Sequence, residues 1–151
     1  MDYVVGFAFN QAMTAVALIK KNRPAWQAGK CNGIGGKVEQ GETPIQAMVR
    51  EFREETGVFT SEEEWRELAE LKGVDSQNEI FTVSSFFTNN EDIFRYVEAI
   101  TDEEIIHVHI EDIASGKFHE FVPSVPWLVF LAKDENMRNN QMKVKAIYAC
   151  S

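Results

Sequence analysis

The chain has 151 residues, 44% apolar and 26% charged, the composition of a soluble globular protein with length for one domain and one real core. Fifteen basic against 24 acidic residues leave a formal charge of −9, which argues against non-specific binding to nucleic acid backbones, a task that wants a basic surface. That charge still admits a phosphorylated small molecule, because divalent cations can neutralise both sides.

Taken in chain order, Val4 to Phe9 and Ala15 to Ile19 are short apolar runs rich in Val, Ile and Phe, and are predicted strands. Between Lys20 and Gly36 come Asn22, Pro24, Gly29, Asn32, Gly33, Gly35 and Gly36, a density of turn formers that predicts a loop with at most a short extended piece. Thr43-Pro44 opens the clearest helix: Thr43 can cap the free amides of the first turn, and Pro44 suits the first helical position. Ile45, Met48, Val49 and Phe52 form its apolar stripe, and Gly57 supplies the stop. Ser61 and Glu64 have the spacing of a capping box, yet the segment to Lys72 also reads as a strand around Leu68. Glu79 to Thr88 and Ile105 to Ile110 are further predicted strands. Ser124-Val125-Pro126 opens a second helix, with Trp127, Leu128, Phe130 and Leu131 as its buried side. Lys143 to Tyr148 is a last expected strand. Strands mixed with two helices in one domain, 1–151, predict an α/β sandwich.

No stretch approaches the roughly 20 apolar residues of a membrane span. The start, Met1-Asp2-Tyr3-Val4-Val5-Gly6, lacks the basic n-region of a signal peptide. The expected compartment is the cytosol, where Cys31 and Cys150 are read as free thiols.

The chemistry concentrates between Gly36 and Val58, GKVEQGETPIQAMVREFREETGV. On the predicted helix Glu51, Glu54 and Glu55 stand at i, i+3 and i+4, which puts three carboxylates on one face. Like charges so close repel unless a cation sits between them, and hard oxygen ligands suit Mg2+ or Mn2+. The other reading of such a face is a solvated, salt-bridged helix. Arg50 adjoins the cluster and can pair with a carboxylate. Glu42, just before the helix, can close back on the same place.

This spacing resembles the Nudix box: Gly, five residues, Glu, seven residues, Arg-Glu, an apolar residue, one residue, Glu-Glu, one residue, Gly and an apolar residue. Gly36, Glu42, Arg50, Glu51, Phe52, Glu54, Glu55, Gly57 and Val58 fill every position. A chance match at background frequencies is on the order of one in 10⁸ per starting point. The resemblance implies an α/β/α sandwich with a mixed central sheet, and hydrolysis of a nucleoside diphosphate linkage by water. It implies that Glu51, Glu54 and Glu55 bind the divalent ions with the Gly35 carbonyl, that Arg50 orients Glu51, and that Glu42 supports the cluster. A later-loop glutamate assists in some members; Glu98, Glu103 and Glu104 are the candidates here.

The stretch Gly29 to Val38 is similar to the segment of MutT-like members in which an asparagine reads the base edge, and Asn32 occupies that place. An amide offers a purine one donor and one acceptor; Asn32 is otherwise a turn residue. Cys31 stands where that subgroup commonly has tryptophan, and Glu120 to Ser124 lacks the paired aspartates that mammalian-type oxidised-purine enzymes carry there. Lys37, Arg23 with Lys20 or Lys21, and Phe121 are the further candidate substrate contacts: a lysine at the end of the glycine-rich segment, cations for phosphates, and an aromatic to stack on a base. Trp127 is expected in the core, and His107 and His109 are read as structural. The expected reaction converts a (d)NTP or oxidised purine dNTP to monophosphate and pyrophosphate, by a monomer or homodimer. ADP-ribose, a dinucleoside polyphosphate and an RNA 5′ end are alternative substrates, and a non-catalytic nucleotide sensor is the alternative of another class.

Overall fold

The computed structural model describes residues 1–134 and 144–149. Strand β1 (Asp2–Phe9) is buried continuously from Val4 to Phe9, the pattern of a central strand covered on both faces. Along one edge it runs parallel to β6 (Ile80–Thr88), with Asp2 to Ala8 in register with Thr82 to Thr88. Along the other edge its partner changes midway. Strand β2 (Ala15–Lys20) takes Ala8 and Phe9, and β4 (Ile34–Lys37) takes Tyr3 to Gly6.

The sheet divides at this edge, and the chain crosses the division in one step. The two-residue strand β3 (Cys31–Asn32) pairs with the end of β2, and after Gly33 the chain joins β1 as β4. A Cβ on Gly33 would lie 2.5 Å from Val5 Cγ2 and 3.0 Å from Phe7 Cε1, so the crossing needs glycine for want of space. The expectation of a loop through Gly36 is therefore corrected: Gly35 and Gly36 are strand residues that let two backbones approach closely. A single 3₁₀ turn, Ala25–Gln27, interrupts the earlier part.

Beyond β6 lie β5 (Arg66–Val74), antiparallel to it, and β8 (Val144–Ala149), parallel to β5. At the other side β7 (Glu104–His109) runs antiparallel to β2. Parallel and antiparallel pairs thus combine in one eight-stranded mixed sheet. Lys143 and Cys150 lie outside the described residues; Cys31 is a buried free thiol.

Helices cover both faces, as expected of an α/β/α sandwich. Helix α1 (Pro44–Thr56) and the short α2 (Glu91–Tyr96) close one side, where Met48, Phe52, Trp65 and Ile93 pack on Val4, Ala8 and Ile19. Helices α3 (Ile110–Ser115) and α4 (Ser124–Lys133) close the other, over Phe7, Phe9, Leu18 and Leu71. Helix α1 begins as expected: Thr43 and Gln46 exchange side-chain and backbone hydrogen bonds in a capping box, and Gly57 ends it in the left-handed conformation at φ 75°. It lies close on β1 because residue 6 is glycine; a Cβ there would meet Met48 Sδ at 2.7 Å.

The Ser61 capping box forms as one 3₁₀ turn, Glu62–Glu64, and gives way to β5, the strand expected around Leu68. Two expectations need correction. Two short helices went unforeseen: Asn90 caps α2 by accepting from the amides of Asp92 and Ile93, and α3 follows β7 without a side-chain cap. Helix α4 buries Val125, Leu128, Val129 and Ala132, whereas Trp127 and Phe130 are 44% and 40% exposed. Both stripes of this apolar helix have helical spacing; the smaller side chains are the ones placed against the sheet, and the large rings are left outside.

Candidate active site

Strand β4 and helix α1 build the site between them. The helix carries Arg50, Glu51, Glu54 and Glu55 on its outer side because Met48, Phe52 and Thr56 are turned inward to the sheet. The loop joining the two elements returns Glu42 to the same place. Arg50 is the centre of the array. Its Nε and Nη2 donate to the two oxygens of Glu42 at 2.8 and 3.0 Å, and Nη2 also donates to the Lys37 carbonyl at 2.9 Å. Its Nη1 donates to Glu51 Oε1 at 2.8 Å and to Glu54 Oε2 at 3.2 Å. The fork-shaped guanidinium thus fixes three carboxylates and one strand end at once. These bonds hold the Arg50 proton still more firmly than usual, and Arg50 in turn holds the Glu42 carboxyl below the usual range.

Glu51 is the least exposed of the helix carboxylates described in ion pairs, at 13% against 57% for Glu54. Burial pushes its pKa up, against the pull of Arg50, and the charges of Glu54 and Glu55 add to the rise. The carboxylate rests on Gly36: a Cβ at that position would stand 2.5 Å from both of its oxygens. Gly35 is pressed as tightly against β1, with a would-be Cβ 2.8 Å from the Val4 carbonyl carbon.

The donor set is all oxygen, three glutamates one helical turn deep, and suits a hard divalent cation. A cradle for the Glu51 carboxylate exists only because residue 36 has no side chain. Among the described residues no three metal-ligating side chains converge on one point as they stand; the Arg50 guanidinium, lying between Glu51 and Glu54, is the positive charge that gathers them. The residues therefore fit the ion in the chemistry of their donors, with Glu51, Glu54 and Glu55 carried within one turn of α1.

The other expected positions fall into two groups. The strand of Asn32 meets the segment of Phe121 through Cys31: the Cys31 amide donates to the Glu120 carbonyl at 2.8 Å, the Val122 amide donates to the Cys31 carbonyl at 2.9 Å, and Phe121 bridges to Cys31. Asn32 Oδ1 accepts from the Gly33 amide at 2.8 Å and its Nδ2 donates to Gln27 Oε1 at 3.2 Å. Arg23 is instead engaged elsewhere, in a two-bond ion pair with Asp102 at 2.9 and 3.3 Å. Lys37 offers Arg50 its carbonyl while its side chain is exposed.

Of the later glutamates, Glu103 is 4% exposed and paired with Lys21 at 2.8 Å. Glu104 opens β7, and exposed Glu98 lies on the segment 97–103. That segment abuts the end of α1, where the Ile100 amide donates to the Glu55 carbonyl at 3.4 Å and the Thr101 hydroxyl to Glu55 Oε2 at 3.3 Å. Sequence reasoning passed over Thr101, whose neighbours signal only an acidic turn. His107 donates from Nε2 to the Phe94 carbonyl at 2.8 Å and packs its ring against that residue.

Fold and site together define a Nudix protein. The chain matches the NUDIX domain family over residues 2–141 and belongs to it. Within the family it is MutT-like: 58 residues are 44% identical to the 8-oxo-dGTP diphosphatase of Escherichia coli K12, a match spanning 38% of this chain and 44% of that enzyme's length. A MutT structure from work on Aliivibrio salmonicida and Vibrio cholerae superposes with a TM-score of 0.68 at 26% identity, covering 88% of this chain and 98% of that one. Two more distant structures share the fold alone. These are the E. coli ORF135 protein (TM-score 0.66, 19% identity, 92% and 91% covered) and Shewanella oneidensis NrtR in complex with a 27mer DNA (0.69, 12%, 91% and 62%). No helix among the described residues is long and apolar enough to cross a membrane.

Proposed function

We propose that this protein is a cytosolic pyrophosphohydrolase, acting as one domain, that uses Mg2+ to convert a purine nucleoside triphosphate, normal or oxidised, to its monophosphate and pyrophosphate. The observation that carries the reading is the Arg50-centred array of Glu42, Glu51 and Glu54 beside Gly36. Glu51, Glu54 and Glu55, with the Gly35 carbonyl, would hold the ion. Bound there, a divalent cation supplies charge neutralisation on the phosphoryl oxygens and a lowered pKa for water. Arg50 and Glu42 keep the Glu51 and Glu54 carboxylates aimed, so little reorganisation is needed as charge develops. A water oxygen forms the new bond to phosphorus and the bridging P–O bond breaks; the water proton passes to a carboxylate. Glu98 and Glu104 are the candidates for the later-loop base, since Glu103 is already committed to Lys21.

We take Asn32, whose amide is oriented by the Gly33 amide and Gln27, as the reader of the base edge, and Phe121, bridged to the adjacent Cys31, as the further aromatic candidate. Lys37, at the end of β4, is our phosphate contact; Arg23, paired with Asp102, would have to leave that partner to serve.

The test is release of phosphate, with and without coupled pyrophosphatase, in Mg2+. The panel holds normal and 8-oxo nucleoside triphosphates, ADP-ribose, a dinucleoside polyphosphate and a 5′-triphosphorylated RNA. Pyrophosphate from a purine triphosphate is expected. Cleavage only of ADP-ribose or RNA would retire Asn32 as a purine reader, and silence across the panel would favour a nucleotide sensor.

A further inference from the structure

The segment 97–103 is fastened at its far end by more bonds than a surface turn needs. Glu103, nearly fully buried, accepts from Lys21 Nζ at 2.8 Å and from the Asn22 amide. The Asn22 side chain donates to the Asp102 carbonyl at 3.1 Å, and Arg23 grips the Asp102 carboxylate. Burial alone would push the Glu103 carboxyl up; Lys21 and the Asn22 amide hold it below its usual range. The end of β2 and the segment 101–103 are thereby locked together.

From that anchor a directed chain runs to α1. The Glu103 amide donates to Thr101 Oγ1 at 3.3 Å, which turns the single hydroxyl proton outward, and Thr101 donates it to Glu55 Oε2 at 3.3 Å. The Thr101 oxygen has one proton to give, and an amide pointing at its lone pair decides where that proton goes. Arg50 sets Glu42, Glu51 and Glu54 by its hydrogen bonds, whereas Glu55 takes its bond from Thr101.

We propose that Thr101 is a positioning residue for Glu55, held in place by Glu103, and that the pair completes for the third helix carboxylate what Arg50 does for Glu51 and Glu54. This rests on the reading of Glu55 as a ligand of the divalent ion. Outer partners of metal-ligating side chains contribute roughly 10- to 100-fold to metal affinity, and an exposed hydroxyl belongs at the low end.

The experiment is Mn2+ binding to the full chain without nucleotide, followed by electron paramagnetic resonance, for wild type, Thr101→Val and Thr101→Ser. Melting temperatures are recorded alongside. Valine keeps the shape of threonine without its hydroxyl, and should weaken Mn2+ binding roughly tenfold at an unchanged melting temperature, while serine restores affinity to within about twofold. Equal binding by wild type and Thr101→Val, or failure of serine to restore what valine loses, would overturn this proposal alone. A wild-type chain that takes up no Mn2+ would overturn the metal reading and this proposal together.

Discussion

Adding one methyl group at Gly36 should separate activity from stability. The Cβ of Gly36→Ala would stand 2.5 Å from both Glu51 carboxylate oxygens. Non-bonded contact settles near roughly 3.5 Å, so the carboxylate must retreat by about 1 Å. The obstructing atoms are the far end of a flexible side chain, and the backbone at residue 36 is ordinary strand that alanine accepts. The fold therefore has an inexpensive way out, and the array does not: Glu51 leaves its place between Gly36 and Arg50. A displacement of this size at a reacting centre costs about 10²-fold. Gly35→Ala is the control. Its Cβ meets the Val4 carbonyl carbon at 2.8 Å and Val5 Cα at 2.9 Å, main chain that cannot turn aside without parting β4 from β1. Steady-state kinetics on the substrate found by the panel, with thermal melts, should show Gly36→Ala losing about 10²-fold in kcat/KM at a nearly unchanged Tm, and Gly35→Ala losing Tm. Wild-type turnover in Gly36→Ala, or an equal loss of Tm in the two variants, would refute the assignment of Gly36 as the seat of Glu51.

Glu54→Gln, which keeps shape but removes charge, should lose on the order of 10²-fold in kcat if electrostatic stabilisation dominates, and near wild-type turnover would end its role as a ligand. Asn32→Ala should level the ratio of kcat/KM between purine and pyrimidine triphosphates without moving the Mg2+ dependence; an unchanged ratio would leave Asn32 a turn residue. Glu103 has a carboxyl depressed on folding, so its ionised form stabilises the protein above the ordinary glutamate range and this contribution is lost as pH falls through the depressed value. Urea midpoints of wild type and Glu103→Gln should accordingly differ at neutral pH and draw together as pH falls below the ordinary glutamate range through the depressed value, whereas a gap independent of pH would show that packing, and not the Lys21 pair, makes the difference.

What the sequence alone determined is local in origin. Helix α1, its Thr43 cap and its Gly57 stop were legible because capping and the 3.6-residue repeat act over a few neighbours. The shared face of Glu51, Glu54 and Glu55 follows from the same repeat, and the spacing of the box named the family. The strands with β-branched runs were legible for the same reason. What only tertiary structure decided is what distant segments do to one another. Gly35 and Gly36 read as turn formers, yet their lack of a side chain serves the approach of β4 to β1 and of Glu51 to β4. Trp127 sits outside because an all-apolar helix has no polar face to choose for it, and the sheet takes the smaller side chains. Arg23 and Glu103 each looked available to a phosphate or a metal. They are engaged instead with Asp102 and Lys21, some eighty residues away in the chain, because ion pairs depend on distance in space and carry no periodicity that a sequence can display.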